Sequence, residues 1–528
     1  MKLTAEQQQA LDAINSSAAG QTFLLYGVTG SGKTEVYMQA IANVLTKGKS
    51  AIVLVPEIAL TPQMIERFTA RFGEQCAVLH SHLTVKNRRE EWEAVASGVK
   101  RIVLGARSAV FAPVKDLGII VIDEEFENSY KQDKSPRYHV REVAEFIVKQ
   151  HGAVLVLGTA TPSIETFYKA EQGAFKKLTL SQRIDNRPLP PVEIIDMRQD
   201  KGFILSERLK EELKVTLERK EQAILFINRR GYFTFIMCKD CGKAIECPTC
   251  SVSLTYHSED KHLLCGHCGY STDSPHICPH CQGSSVQYFG IGTQRIEQEV
   301  ADYFPQARIL RYDSDAVTKR GSHETLFNTF AEGKADILIG TQMVAKGLDV
   351  ANVTLVGVVA ADTALNLPDF RAAERTFQLI TQVAGRAGRH HLPGKVIVQT
   401  YSPEHFALQT AVKHDYDAFY QAEIKHRQEL NYPPYSQLIG IVVSGEARAK
   451  VIKVIQDIKT FLDNRQIKGV MGPAPAVIAR LRGDWRYRLL LKSSKIQETR
   501  NKLQEIMSKI VIPSDVRVVV DVEPISLL

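Results

Sequence analysis

The chain has 528 residues, of which 44% are hydrophobic and 24% are charged, and its formal net charge at pH 7 is +7. Domains usually contain about 100 to 200 residues, so this length predicts three or more domains. The net charge is small for a chain of this length, so it permits a polyanionic partner without requiring one. No apolar run approaches the roughly 18 residues of a membrane-spanning helix, and the polar start is unlike a signal peptide, so we expect a cytoplasmic protein with no membrane contact.

Residues 1–190 alternate short apolar segments with amphipathic stretches of helix length, which is typical of a parallel sheet flanked by helices. The predicted strands are TFLLYG, SAIVLVP, RIVLG, GIIVIDEE and AVLVLGT. The next segment, SQRIDNRPLPPVE, is rich in arginine and proline and is predicted to be a linker. We therefore expect one α/β domain before residue 191.

A second alternating series fills residues 191–235 and 285–424, and it predicts another parallel sheet. Its strands are AILFINRR, ARILRYD, ADILIGT, VTLVGVV and GKVIVQT. Residues 236–284 interrupt the series with a cysteine-rich insertion, and residues 425–528 combine three predicted strands with two predicted helices. The predicted fold class is α/β, with two parallel-sheet lobes, an insertion in the second lobe and a small α+β C-terminal domain.

The segment GVTGSGKT follows the first predicted strand and precedes a helix, as a phosphate-binding loop requires. Glycines such as Gly27, Gly30 and Gly32 allow backbone N–H groups to surround the β-phosphate at the helix N-terminus. The motif predicts that Lys33 neutralises phosphate charge and that the Thr34 hydroxyl binds Mg²⁺. The alternative is a glycine-rich turn that happens to end in Lys-Thr, and the strand and helix on either side disfavour it.

Asp123 and Glu124 follow the apolar strand GIIVI, so they are expected at the carboxyl edge of the sheet, where ligands of open α/β folds bind. Asp123 is predicted to hold Mg²⁺ through its water shell, and Glu124 to orient and deprotonate the attacking water. Acidic residues after a strand are often only a solvated turn. Their combination with a phosphate loop favours the catalytic interpretation.

The segment QVAGRAGR lies far downstream of the phosphate loop, in the other predicted lobe, and it contains Gln382, Arg386 and Arg389. Arginines that reach a nucleotide from a second domain stabilise γ-phosphate charge in the transition state and couple hydrolysis to domain closure. Gln382 is a predicted nucleotide contact. The alternative is an arginine-rich surface helix. With the other motifs, the segment predicts an ATP-driven motor rather than a kinase or GTPase.

Eight of the nine cysteines form four Cys-x-x-Cys pairs, which are Cys238/Cys241, Cys247/Cys250, Cys265/Cys268 and Cys278/Cys281. Eight thiolates can form two closed tetrahedral Zn²⁺ sites, and the simplest arrangement is nested, with the two inner pairs on one zinc and the two outer pairs on the other. The segment has few large apolar residues, so we expect two structural Zn²⁺ ions to order it. A redox role for the pairs is the alternative. The nearby histidines are expected to be solvated loop residues, namely His257, His262, His267 and His280.

Two segments combine aromatic and cationic side chains in the way that single-stranded nucleic-acid sites do. The first follows the acidic motif and contains Phe126, Tyr130, Lys131, Arg137 and Tyr138. The second lies near the C-terminus and contains Arg480, Arg482, Trp485, Arg486, Tyr487 and Arg488. The alternatives are a packed surface loop for the first segment and a strand with a solvated cationic face for the second.

VLVPEIALTPQ, LGTATPS, ILFINRRGY, ILIGTQMVAKGLD and QVAGRAGR resemble, in order, the motifs of superfamily 2 helicases, which have two RecA-like lobes. The resemblance implies that Thr159 and Thr161 link the nucleotide state to the lobe interface and that Gln7 contacts the adenine ring. It also implies that GTQMVAKGLD touches the DNA backbone and the nucleotide. The residues concerned in that segment are Gly340, Thr341, Gln342, Lys346 and Asp349.

LHSHLTVKNRREEW, GARSAVFAPVKDLGIIVIDEE, SYKQDKSPRYHVRE and MGPAPAVIARLRGDWRYRLLLK resemble the PriA family of bacterial replication-restart helicases more closely. This resemblance implies the same nested cysteine pairing and an ATP-dependent 3′-to-5′ DNA helicase that remodels stalled or abandoned forks and initiates primosome assembly. The implied partners are forked and single-stranded DNA, primosome proteins, the helicase loader and single-stranded DNA-binding protein.

Two features depart from the PriA pattern. Family members usually carry His at the position of Phe126, and they begin with a 3′-end-binding domain and a winged helix, whereas this sequence starts at the motor.

Two other functions are compatible with the motifs. One is a translocase that tracks duplex DNA without separating strands, and the other is a zinc-ordered primosome scaffold with weak ATPase activity.

Overall fold

A computed structural model describes most of the chain, and the described residues are 3–56, 62–80, 83–184, 188–227, 235–257, 262–289, 292–312, 323–341, 350–388 and 392–527. The chain divides into two compact units, Met1–Leu189 and Pro190–Leu528. No helix in these described ranges is long and apolar enough to cross a membrane.

The first unit is built around one parallel sheet. Its strands are β1 (Thr22–Gly27), β2 (Ser50–Leu54), β3 (Cys76–Leu79), β4 (Ile102–Gly105), β5 (Leu117–Asp123), β6 (Val154–Thr159) and β7 (Lys176–Leu180). Its helices are α1 (Ala5–Asn15), α2 (Lys33–Thr46), α3 (Pro62–Phe72), α4 (Val85–Ser97), α5 (Val140–His151) and α6 (Ile164–Glu171). The strand order is β3-β4-β2-β5-β6-β1-β7, so the carboxyl ends of β5, β6 and β1 are neighbours at one edge.

The five strands predicted for this unit are confirmed, and two further strands were missed. The predicted strands are almost wholly buried, as expected for a parallel sheet, and continuous apolar runs revealed them. β7 lies at the sheet edge, and only Leu178 and Leu180 of its five residues are buried, so it lacks such a run. β3 is also an edge strand and has only four residues.

The second unit contains several sheets. Its strands are β8 (Val192–Asp196), β9 (Gln222–Phe226), β10 (Phe235–Cys238), β11 (Thr255–His257), β12 (His262–Leu264), β13 (Ser271–Asp273), β14 (Val286–Phe289), β15 (Ile309–Tyr312), β16 (Ile337–Gly340), β17 (Val353–Val358), β18 (Lys395–Thr400), β19 (Gln437–Gly445), β20 (Val470–Leu481), β21 (Asp484–Ser493) and β22 (Val516–Val522). Its helices are α7 (Glu207–Glu218), α8 (Thr293–Tyr303), α9 (His323–Ala331), α10 (Asp362–Leu365), α11 (Ala372–Ala384), α12 (Phe406–Val412), α13 (Tyr416–Glu429), α14 (Arg448–Asn464) and α15 (Ile496–Met507).

A six-stranded parallel sheet with the order β15-β16-β9-β17-β18-β8 forms the second predicted lobe. A small antiparallel sheet, β11-β12-β13, lies in the cysteine-rich insertion, and a second one, β10-β14, joins the two ends of the insertion. The C-terminal sheet is antiparallel, with the order β20-β21-β19-β22, and packs against α14 and α15. The α/β fold class, with two RecA-like parallel-sheet lobes, an insertion and a small α+β C-terminal domain, is confirmed.

Three details differ from the sequence prediction. Val192 and Glu193, predicted as the end of the linker, begin β8, an edge strand beside β18. The predicted start of the C-terminal domain at residue 425 falls inside α13. β20 was missed because Pro473 and Pro475 interrupt its apolar pattern, and its pairing with β21 shows register shifts there.

Candidate functional site

The phosphate loop connects β1 to α2, with backbone geometry that glycine favours. Gly30 and Gly32 have φ angles of +83° and +80°, which side-chain-bearing residues rarely adopt. Gly32 caps α2, so the free N–H groups of the first helical turn lie beside the loop. The Ser31 hydroxyl is buried and has no hydrogen-bond partner among the described residues. These features fit a phosphate group.

Lys33 and Thr34 begin α2, as the motif requires. The Lys33 ammonium donates a hydrogen bond of 2.8 Å to the carbonyl oxygen of Gly27, so its side chain folds back over the loop. Thr34 is half-buried in the first turn. The side chains predicted to bind phosphate and Mg²⁺ therefore lie in one short segment after the carboxyl end of β1.

Asp123 is the last residue of β5, and its carboxylate is held by a neighbour that the sequence analysis did not identify. The Tyr37 hydroxyl donates to Asp123 Oδ1 at 3.1 Å. Burial raises the pKa of Asp123, and the Lys33 charge opposes this rise. A desolvated carboxylate is stabilised by a nearby cation, and Mg²⁺ prefers oxygen ligands, so Asp123 suits the predicted Mg²⁺ role.

The next two acidic residues have different surroundings. Glu124 has a φ of +48°, an unusual backbone conformation for a residue with a side chain, and it remains partly exposed beside Asp123. Glu125 is buried, and its carboxylate accepts hydrogen bonds from Ser163 N at 2.7 Å and Thr166 Oγ1 at 2.8 Å. Glu125 therefore joins the end of β5 to the start of α6.

Thr159 is the last residue of β6, the strand between β5 and β1, and Thr161 follows two residues later. Both are buried, and Thr161 N donates to Thr159 Oγ1 at 3.0 Å. The predicted adenine contact, Gln7, is also buried. Its amide nitrogen donates to Ser31 O at 2.8 Å and its amide oxygen accepts from Thr4 N at 2.9 Å, so Gln7 connects α1 to the phosphate loop.

Gly158 is required for the contact between α2 and β5. An added Cβ at Gly158 would lie 1.4 Å from the Tyr37 hydroxyl oxygen. We predict that Gly158→Ala lowers the free energy of unfolding of the first unit by about 1 to 3 kcal/mol, because overpacking forces side chains and backbone to shift. Chemical denaturation measures this loss. Gly440→Ala in β19 is the control, since an added Cβ there meets only Pro524 Cγ at 3.7 Å, an ordinary van der Waals contact, and should leave stability nearly unchanged.

The remaining nucleotide-motif residues lie in the second unit. Gln382 is in the last turn of α11, and Arg386 is partly buried in the turn that follows. Gly340 ends β16, with Thr341 directly after it. Four predicted residues lie outside the described residues, namely Gln342, Lys346, Asp349 and Arg389.

The cysteines of the insertion form two clusters, and the nested grouping is confirmed. The outer cluster is Cys238, Cys241, Cys278 and Cys281, and the inner cluster is Cys247, Cys250, Cys265 and Cys268. The Sγ–Sγ distances across pairs are 3.7 Å for both Cys238–Cys281 and Cys241–Cys278, and 3.6 Å for Cys247–Cys268. Tetrahedral zinc with bonds of about 2.3 Å separates its sulfur ligands by about 3.8 Å. Both clusters therefore fit Zn²⁺ and leave no open ligand position.

The same tight turn follows each of the four cysteine pairs. The residue after the second cysteine has a positive φ, and its N–H donates to the carbonyl of the first cysteine at 2.8 to 3.0 Å. These four residues are Gly242, Ser251, Gly269 and Gln282. The turn holds both thiols of a pair close together, which explains the spacing of two residues between them.

Two features of the insertion were not predicted from the sequence. It does contain a small apolar cluster, formed by Ile236, Ile245, Val252, Leu254 and Leu263 around the inner cysteines. The sequence prediction underestimated this cluster because its members are scattered among polar residues.

His267 is not a solvated loop residue. It is buried, and its Nδ1 lies 3.1 Å from the Tyr432 hydroxyl oxygen, within hydrogen-bonding distance. His262 and His280 are exposed as expected, and His257 is partly buried.

Four families of known domains match consecutive parts of the chain. They are described as DEAD/DEAH box helicase over residues 4–170, PriA DNA helicase Cys-rich region over residues 247–272, Helicase conserved C-terminal domain over residues 277–391 and Primosomal protein N C-terminal domain over residues 428–525. The matches to the cysteine-rich region and the C-terminal domain are specific to one family.

Relatives that align with the whole chain decide which family it belongs to. The chain is 40% identical over 528 residues to the Replication restart protein PriA of Treponema pallidum, covering all of this chain and 80% of the relative. The chain belongs to the PriA family. It is also 48% identical to the PriA of Bacillus subtilis and 43% identical to that of Synechocystis, covering 97% and 100% of this chain. It spans only 64% and 65% of the length of those two proteins.

The aromatic and cationic segment after the acidic motif was predicted to contact single-stranded nucleic acid, and two of its residues need correction. Tyr130 is fully buried, and its hydroxyl donates to the carbonyl oxygens of Asp123 at 2.6 Å and Leu54 at 3.0 Å. Lys131 is also buried. Neither side chain is placed to contact a nucleic-acid strand. Tyr130 instead supports the backbone that carries the acidic motif.

The rest of this loop lies at the surface. Lys131 and His139 form an antiparallel bridge, and residues 133–136 at the tip are exposed. Tyr138 packs edge-to-face on the half-exposed Phe111, with ring centroids 5.1 Å apart, and Arg137 is partly exposed. Phe126, where the PriA pattern has His, is also partly exposed. An accessible aromatic pair next to a cation remains compatible with base stacking.

The C-terminal cationic cluster is divided between the surface and the interior. β20 and β21 form a hairpin whose two-residue turn, Arg482-Gly483, has positive φ at both positions. Arg480 and Arg482 are exposed. The guanidinium carbons of Arg448 and Arg480 lie 4.8 Å and 5.4 Å from the centroid of the Trp485 ring.

Three residues of that cluster face inward. Arg486 is half-buried, and burial lowers its pKa, while Tyr487 and Arg488 are buried. The Arg488 guanidinium donates to the carbonyl oxygens of Gly266, at 3.1 Å from Nε, and of Leu527. Because Gly266 lies between two inner zinc ligands, Arg488 joins the insertion to the C-terminal domain. The prediction of a nucleic-acid surface is therefore restricted to the hairpin end.

We predict that Arg488→Met lowers the free energy of unfolding by about 2 to 4 kcal/mol, because it leaves two buried carbonyl groups without donors at roughly 1 to 3 kcal/mol each. Thermal or chemical denaturation measures the change. Arg480→Met on the paired strand is the control, since Arg480 is exposed. Equal stability of both variants would contradict the buried role of Arg488.

Proposed function

We propose that the chain is an ATP-dependent DNA helicase that moves 3′ to 5′, remodels stalled or abandoned replication forks and initiates primosome assembly. One observation carries this proposal. The phosphate loop, Asp123 and Thr159 lie at the ends of three adjacent parallel strands, in a chain of the PriA family. Such a carboxyl edge is where α/β proteins bind and hydrolyse nucleotides.

In the proposed cycle, the chain's own residues bind and hydrolyse ATP. Backbone N–H groups of the phosphate loop bind the phosphates, and Lys33 and Arg386 stabilise the negative charge that develops on the γ-phosphate. Glu124 accepts the proton of the attacking water. Mg²⁺ supplies further charge neutralisation when bound. Thr34 and Asp123 are the residues that would hold it.

Further nucleotide contacts are proposed for Gln7, Gln382 and Arg389. Because Gln382, Arg386 and Arg389 belong to the second unit, ATP binding is proposed to close the two units and hydrolysis to reopen them. Melting a base pair costs about 1.4 kcal/mol, which a single hydrolysis event can supply. The proposed result is movement along DNA by a fixed step per turnover.

Zinc binding and DNA binding complete the proposal. Each four-cysteine cluster is proposed to bind one structural Zn²⁺ ion. The proposed DNA contacts are Arg137, Tyr138, Lys346, Arg482 and Trp485, whereas Arg486 is not proposed because it is half-buried and faces inward. The proposed protein partners are primosome proteins, the helicase loader and single-stranded DNA-binding protein.

We propose the domain limits as predicted from the sequence. Residues 1–190 form the ATP-binding lobe, and residues 191–235 with 285–424 form the second lobe. Residues 236–284 form the zinc-binding insertion, and residues 425–528 form the C-terminal domain. The last boundary is better drawn after α13, because the C-terminal sheet begins at Gln437.

Strand displacement on forked DNA tests the function. The wild-type chain is expected to hydrolyse ATP faster with single-stranded DNA and to release a strand from forks, with polarity read from substrates that carry one 3′ or one 5′ tail. Lys33→Ala should lose both activities, and Lys47→Ala, at the far end of the same helix, should keep them.

Each other outcome supports a different function. ATP hydrolysis with translocation but no strand release would support the duplex-tracking translocase. ATP hydrolysis that DNA does not stimulate would support the zinc-ordered scaffold.

A further inference from the structure

Residues 180–184, here called the strap, begin at the last residue of β7 and run along the phosphate loop. Val28 N donates to Leu180 O at 3.1 Å, and Ile184 N donates to Gly30 O at 3.1 Å, so the strap is bonded to the first half of the loop at two points. Ser181 N also donates to Glu6 Oε2 in α1 at 2.8 Å. The strap therefore has a fixed position beside the loop, although the sequence predicted only a linker here.

Ile184 and Gln7 lie on the same side of the phosphate loop. An added Cβ at Gly32 would lie 2.8 Å from Ile184 Cδ1 and 2.4 Å from Gln7 Nε2. Gln7 is buried, but Ile184 is 45% exposed. A large apolar side chain is thus held at the surface by a backbone hydrogen bond, directly beside the amide of Gln7.

The chemistry of a nucleotide requires a surface of this kind. A purine base has two apolar faces and a polar edge, and binding sites usually cover the faces with apolar side chains while a few polar groups orient the ligand. The phosphate loop offers the phosphates polar groups, namely backbone N–H groups and the side chains of Lys33 and Thr34. Ile184 is an exposed apolar side chain that the strap brings to the loop, on the side where Gln7 is located.

We propose that Ile184 packs against the face of the nucleotide base and so contributes to affinity for nucleoside triphosphates rather than for phosphate alone. This inference rests on the proposed ATP site. Ile184 acts as a binding residue and has no part in the chemical step. Its loss should therefore raise the KM for ATP and leave kcat nearly unchanged.

Binding of ATP and of inorganic tripolyphosphate, measured by calorimetry on the full chain, tests the inference. Ile184→Ser should weaken ATP binding about tenfold, the effect of removing one well-packed apolar contact, and leave tripolyphosphate binding unchanged. Ile184→Leu should restore ATP binding. Val85→Ser is the matched control, because Val85 is an exposed apolar residue on α4, and it should change neither affinity.

The results that would overturn this inference differ from the result that would overturn the proposed ATP site. Equal loss of ATP and tripolyphosphate binding in Ile184→Ser would overturn the inference, because it would mean that Ile184 shapes the loop. Unchanged ATP binding in Ile184→Ser would overturn it as well. If the wild-type chain binds neither ligand, the proposed ATP site itself fails.

Discussion

Replacing Cys265 with serine is expected to remove one of two bound zinc ions and to unfold the inner half of the insertion. Cys265 is fully buried within the inner four-cysteine cluster. A structural zinc site contributes about 10 to 16 kcal/mol of folding free energy at neutral pH, far more than a few apolar residues can supply. The apolar cluster around the inner cysteines is too small to replace that contribution.

Metal analysis and hydrogen exchange on the full chain measure this effect. Zinc content should fall from two ions to one per chain, and amides in residues 247–272 should lose protection while β1 and β5 keep theirs. Cys76→Ser is the matched control, because Cys76 is a buried cysteine of the first unit outside both clusters. Retention of two zinc ions and full protection in Cys265→Ser would show that the inner cluster does not bind metal as proposed.

Replacing Arg386 with alanine is expected to reduce kcat for ATP hydrolysis at least 1000-fold while nucleotide binding changes little. An arginine supplied from a second domain acts mainly on transition-state charge, and such residues contribute about 10³ to 10⁵ in kcat. Arg386→Lys should also be strongly impaired, because an ammonium group lacks the planar fork of donors.

Steady-state ATPase assays with single-stranded DNA measure the effect on kcat, and nucleotide-binding measurements give the effect on affinity. Arg308→Ala is the control, because Arg308 is an exposed arginine of the same unit paired with Asp336. If Arg386→Ala retains kcat within a factor of about three of wild type, Arg386 does not act on the phosphate.

Much of the architecture could be predicted because buried parallel strands have continuous apolar sequences. Strands such as β1, β5 and β17 are buried along nearly their whole length, so composition alone reveals them. Edge strands carry a weaker signal, since β7 buries only alternate residues. β20 carries prolines that argue against a central strand, and it lies at the edge of its sheet.

The proposed nucleotide site could be predicted from the sequence where its residues are consecutive. Tyr37 was missed because its partner, Asp123, is distant in the chain. One signal was available, since Tyr37 follows Lys33 by four residues and so lies on the same face of α2. The partners of Glu125 in α6 are equally distant, and no local pattern indicates which of three consecutive acidic residues is buried.

The nucleic-acid predictions were weaker because composition does not reveal which way a side chain points. Tyr130 and Arg488 have the residue types expected of a DNA-binding surface, yet both are buried and bond to backbone carbonyls. Arg482 and Trp485 come from the same C-terminal segment, and hairpin geometry places them at its accessible end. Only three-dimensional packing separates these two groups.

The central claim is that arginines of the second unit complete the nucleotide site of the first unit. ATP hydrolysis at that site would therefore drive movement of the two units. Fluorescence energy transfer between dyes attached through unnatural residues tests it directly. Suitable exposed positions are Lys86 with Lys214 and Glu93 with Glu332, each pair joining the two units.

In the presence of single-stranded DNA, a non-hydrolysable ATP analogue should change the dye separation for these pairs, and ATP turnover should return it to the starting value. Lys33→Ala should show no change at the same analogue concentration. Saturating analogue binding with constant energy transfer for both pairs in the wild-type chain would contradict the claim.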